Sequence, residues 1–131
     1  MTRTNGSAGF NRMSCIQGML GNLSYEIESQ LKPALRGLGG FIVRGYLPQA
    51  WIFETESEIA TLMVDAQGNV STQPSGYLHR DVTIRWEHDL LASVLRTRNR
   101  ASVPGGIHPI FMFHTAKGRA AFNYLRGRFG L

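Results

Sequence analysis

The chain has 131 residues, 43% of them hydrophobic and 18% charged, which fits one globular domain with enough chain to bury a core. Its single cysteine, Cys15, excludes an intramolecular disulfide and a cysteine-based metal site, and no apolar run reaches the ~20 residues of a membrane span. The net charge of +5 is unevenly placed: nine acids and seven bases precede Leu90, then seven bases and no acid follow. With no secretory core after Arg3, a reducing, cytoplasmic compartment is the expectation.

Met1 to Arg12 is rich in Thr, Asn, Ser and Gly and reads as a flexible tail, so the folded domain is expected from Met13 to Leu131. Ile16, Leu20, Leu23, Ile27, Leu31 and Leu35 then keep helical spacing. Pro33 should break that helix near Leu31, leaving two short helices, and Gly37, Gly39 and Gly40 supply a stop and a turn. Trp51–Glu54 and Ile59–Asp65 read as strands, with Ala66–Asn69 turning into a third at Val70–Thr72. Asp81–Trp86 alternates: Val82, Ile84 and Trp86 share one face, while Asp81, Thr83 and Arg85 form the polar face of a half-buried strand.

At His88–Leu95 the period changes, and Leu90, Leu91, Val94 and Leu95 make an apolar helical stripe with Asp89 near its positive N-terminus. Arg96–Arg100 and Pro104–Gly106 form a long connection. Ile110–His114 is apolar on both faces, the pattern of a central strand. Thr115 is placed to cap a last helix carrying Ala120, Ala121, Tyr124 and Leu125.

Little in this chain points to catalysis. His79, Asp81, Glu87, His88 and Asp89 are close in sequence, but Asp81 and Asp89 already have structural roles, and such groups are usually solvated. There is no nucleophile elbow, no phosphate-binding loop and no metal-ligand spacing. The expectation is a non-enzyme without cofactor or metal.

The order of elements, carried by Asp81–Ile84, Asp89–Leu95, the strand and helix from Ile110 to Arg126, and the hairpin-like Trp51–Thr72, resembles the sterol carrier protein type-two family of small lipid-binding domains. The resemblance covers about Gly40 to Phe129. In place of that family's usual short helix and glycine before the last strand, this chain has Arg96–Arg100 and Pro104–Gly106. The resemblance implies an α+β single domain: a curved, mixed or largely antiparallel sheet of about five strands, covered by helices on one face. It also implies an apolar tunnel between the layers for a fatty acid, sterol or isoprenoid lipid.

The candidate ligand-facing residues are then Trp51, Phe53, Val82, Ile84 and Trp86 on strands, and Leu91, Val94 and Leu95 on the covering helix. Phe111 and Phe113, with Phe122 and Leu125 of the last helix, would close the other side. Arg96, Arg98, Arg100, Lys117, Arg119, Arg126 and Arg128 form a candidate docking set for an anionic membrane surface. The alternative is an interaction module with a filled core, whose basic C-terminal face meets nucleic acid or an acidic partner protein.

Overall fold

Period-two apolar patterning in the middle of the chain makes strands, and the 3.6-residue patterning around it makes the helices that cover them. The computed structural model describes residues 15–103 and 106–131, so the expected tail Met1–Arg12 lies outside the described residues. In chain order come α1 (Ile16–Arg36), α2 (Gly40–Arg44), β1 (Gln49–Glu54), β2 (Ile59–Val64), β3 (Val70–Gln73) and β4 (Val82–Arg85). After them follow α3 (His88–Thr97), a 3-10 turn at Arg100–Ser102, β5 (Ile110–Phe113) and α4 (Ala116–Phe129). The strands form one sheet in the order β3-β2-β1-β4-β5. The β1–β4 pair is parallel and the other neighbours are antiparallel. This mixed five-stranded α+β domain is the architecture expected from the sequence.

Register decides which side chains meet. Trp51 lies opposite both Leu62 and Val82, and Val82 opposite Phe113; Phe53 likewise lies opposite Ala60 and Ile84, and Ile84 opposite Phe111. These rows share one sheet face because side chains alternate along a strand. Ile16, Leu20, Leu23 and Ile27 of α1, Leu91, Val94 and Leu95 of α3, and Phe122 and Phe129 of α4 join them in one core. The helices therefore cover this face.

Ile52, Thr61 and Thr83 point the other way and are also fully buried. Since β3, β1 and β4 all run in one direction, the chain between β3 and β4 has to cross the sheet. Thr61 Oγ1 holds that crossover by donating to the Ser75 carbonyl at 2.6 Å.

Three sequence expectations are corrected. Pro33 does not split the first helix: α1 runs unbroken to Arg36, with Pro33 in its last turn. The proline removes one amide there, and the burial of Leu35 just beyond it offsets the loss. The polar face of Asp81–Trp86 is not a solvent face. Thr83 is fully buried and shares a 2.9 Å hydrogen bond with His114 Nε2, and Asp81 is buried too. Only Arg85 is exposed, beside Glu54 at 3.2 Å. Finally, β5 is an edge strand and not a central one. Its second apolar face reflects partial cover, with Ile110 55% exposed.

Candidate functional site

One tight turn seats two helices. The Glu58 carboxylate accepts the amides of Ile16 at 2.8 Å and Gln17 at 2.9 Å, satisfying open donors at the start of α1. Two residues earlier, Glu56 Oε1 accepts the His88 amide at 2.9 Å at the start of α3. Glu56 is held below the ordinary glutamate range, first by its own backbone amide and then by that of His88. Both helices thus begin above the Phe53 end of the sheet, where α3 fills the space beside the first half of α1.

Toward the Gln49 end none of the described helices fills the corresponding space between α1 and α4. A cavity of about 470 Å³ remains there. Ile27, Leu31 and Ala34 of α1 form one wall, and Ala121, Tyr124, Leu125 and Phe129 of α4 the other. Trp51, Leu62 and Val64 make the floor, while Ile42, Val43 and Tyr46 close over from α2 and the turn after it. The alanines at 34, 120 and 121 bring methyl groups where larger side chains would have closed the gap. Its volume lies inside the range of about 300–1,000 Å³ that small-molecule sites occupy.

Gln49 organises this end. Its Oε1 accepts the Trp51 indole N–H at 2.8 Å, and its Nε2 donates to the Tyr46 carbonyl at 2.6 Å and the Lys117 carbonyl at 3.1 Å. One buried amide therefore joins the α2 segment, β1 and α4, and fixes the Trp51 ring as a wall of the cavity. Among the described residues no carboxylate lines the space, and the one cation that does is Arg128 at the exposed rim. Apolar contact is what this site offers; paired acid and base groups are not among its walls.

Of the ligand-facing residues expected from sequence, the structure brings Trp51 and Leu125 to the cavity. Phe53, Val82, Ile84, Leu91, Val94, Leu95 and Phe122 lie in the close-packed core instead. Phe111 and Phe113 pack on Phe122 with ring centroids 4.7 and 5.5 Å away. Trp86 does not line the cavity: the Arg100 guanidinium stands 5.1 Å from its ring, and its Nε1 has no partner among the described residues.

The basic residues of the expected docking set have different neighbours. Arg98 pairs with Glu26, and Arg100 donates to His108 Nδ1 at 2.7 Å. Lys117 donates to the Pro48 carbonyl at 2.6 Å. Arg119 stacks over Phe113, and Arg126 over Phe111 and Phe122. Arg96 and Arg128 are exposed.

Sequence reasoning missed Gln49, the α2 segment and the second half of α1 as walls. The stripe Ile27, Leu31, Ala34 was a usable signal, since those residues share a helix face. Nothing local marked Gln49. Among the described residues no group of three or more His, Cys, Asp or Glu is arranged to hold a metal ion. None of the described helices is long and apolar enough to cross a membrane.

No protein-family model matches the sequence, and no curated protein matches it. Among solved structures, one described as "UbiJ-SCP2 Ubiquinone synthesis protein" is similar at 16% identity and a TM-score of 0.45. The match covers 83% of this chain and 95% of that one.

Proposed function

We propose that this domain binds a lipid in the cavity between α1, α2 and α4, and carries or presents it without catalysing a reaction. The observation that carries this reading is the 470 Å³ apolar space whose walls hold no carboxylate. Burying about ten methylenes at about 0.8 kcal/mol each gives roughly 8 kcal/mol before the costs of association. Such a gain corresponds to about micromolar affinity at best, hence broad selectivity among chains of similar girth. Fatty acids, sterols and isoprenoid lipids are the classes to compare. Tyr46, Tyr124 and Arg128 at the rim would meet a polar headgroup, and the apolar segment would lie over Trp51.

Organic extraction of the purified protein followed by mass spectrometry should recover lipid. After stripping, long-chain fatty acid, sterol and prenol are titrated against tryptophan emission. A saturable change is expected that Trp51→Phe abolishes and Trp86→Phe preserves, because only Trp51 lines the cavity. Absence of a saturable response to all three classes would refute the proposal.

A further inference from the structure

Several large exposed apolar side chains are close together in sequence on the segment that follows α1, beside the cavity. Leu38 is fully exposed, Phe41 is 72% exposed and Ile42 56% exposed. Monomeric proteins seldom leave large apolar side chains clustered in water without a use for them. Tyr46 and Tyr124, both substantially exposed, flank the group across the mouth of the cavity.

The chain segment that carries this surface holds charge of one sign. Between Glu28 and Glu54 the chain holds Lys32, Arg36 and Arg44 and no acid. Lys32 lies 3.8 Å from Glu28, a partner on its own helix. Arg44 is oriented by donating to the Leu35 carbonyl at 3.2 Å, which ties it to the base of the segment. Arg36 and Arg44, with Arg128 at the cavity rim, remain to face an anionic surface.

We propose that Leu38–Tyr46 is a docking element for an anionic lipid bilayer. Leu38, Phe41 and Ile42 enter the boundary between headgroups and acyl chains, Tyr46 and Tyr124 sit at headgroup level, and Arg36, Arg44 and Arg128 meet the phosphates. Apolar insertion combined with basic flanks is what binds a monotopic element to such a surface, and tyrosines prefer that depth. Ile42 and Tyr46 belong to both the docking element and the cavity wall, so docking would bring the mouth of the cavity against the bilayer. None of the residues named for this surface belongs to the Arg96–Arg100 segment.

The test is sedimentation of the full chain with vesicles of phosphatidylcholine, with and without phosphatidylglycerol. Binding should require the anionic lipid, weaken as salt rises, and fall roughly tenfold or more in a Leu38→Ser/Phe41→Ser double variant, as loss of inserted apolar area predicts. An Arg36→Gln/Arg44→Gln variant should lose the salt dependence. Both variants should still give the Trp51 response to free fatty acid, so failure to dock and failure to bind ligand are read separately. The proposal is overturned if wild-type protein ignores anionic vesicles, or if the loss follows Arg96→Gln/Arg100→Gln instead. A self-association abolished by the Leu38/Phe41 variant, without vesicle binding, would assign the surface to a second copy of the chain and overturn it equally.

Discussion

Asp81 Oδ1 accepts a 2.7 Å hydrogen bond from Thr115 Oγ1, and Thr115 Oγ1 in turn accepts the Gly118 amide at 3.0 Å. The other carboxylate oxygen accepts the Ala50 amide at 2.9 Å. This short chain of contacts joins β1 and β4 to the first turn of α4, and so joins the floor of the cavity to one wall. Asp81 lies just before β4 with only 5% of its surface exposed. Removing its carboxylate strands one buried amide and one hydroxyl. Asp81→Ala is expected to cost about 3 kcal/mol, measured by urea unfolding at neutral pH. A change under about 1 kcal/mol would contradict this role.

Glu56 supplies a pH dependence. Hydrogen bonds from its own amide and from the His88 amide hold its carboxyl below the ordinary value of 4.5. A lowered folded-state value means that its stabilisation is complete above the unfolded value and is lost as pH falls through the folded one. The Tm difference between wild type and Glu56→Gln should therefore be steady from neutral pH down to about pH 5 and shrink below it. A difference that grows on acidification would show the sign to be wrong.

Two helical glycines should respond in opposite directions to the same change. Alanine is favoured over glycine within a helix by roughly 0.5–1 kcal/mol, and nothing lies within 4 Å of a Cβ added at Gly21. Gly21→Ala should raise stability by about that amount. At Gly118 the added Cβ would stand 2.6 Å from the Asp81 carbonyl oxygen and 2.9 Å from its Cβ. Gly118→Ala should destabilise despite its better propensity, because α4 must back away from the turn it packs on. Thermal melts of the two variants side by side decide the matter.

Filling the cavity separates the ligand site from the core. Ala34→Trp and Ala121→Phe place bulk in the open space, and each should abolish the Trp51-based lipid response or shift it well above micromolar concentrations. Overpacking should cost no more than about 1–3 kcal/mol. Ile84→Val, in the filled core, should cost about 0.5–1.5 kcal/mol and leave lipid binding unchanged. Equal loss of binding in all three variants would mean that the ligand lies elsewhere.

Much of the architecture was legible because it is local. The alternation through Val82, Ile84 and Trp86, the helical stripe of Leu91, Val94 and Leu95, and the capping hydroxyl of Thr115 each lie within a few residues of what they determine. Thr115 does cap α4. By itself, then, the sequence determined the five strands and the helices α3 and α4, their order and most of their inward faces, but not α2, whose Gly40 reads as part of a turn.

The tertiary structure decided what becomes of those faces. Trp51 and Phe53 read alike as inward aromatics of one strand, yet only Trp51 borders open space, because α3 covers one end of the sheet and leaves the other uncovered. Arg98 reads as a free cation until the fold brings Glu26 beside it. Asp81 reads as solvated until β1 and α4 close on its carboxylate. A cavity is the space between helices whose separation is set by side chains far apart in the chain, and no local pattern encodes that distance. The periodicity of α1, α4 and β1 makes their apolar surfaces; where those surfaces fail to meet is fixed only when all three are packed on one sheet.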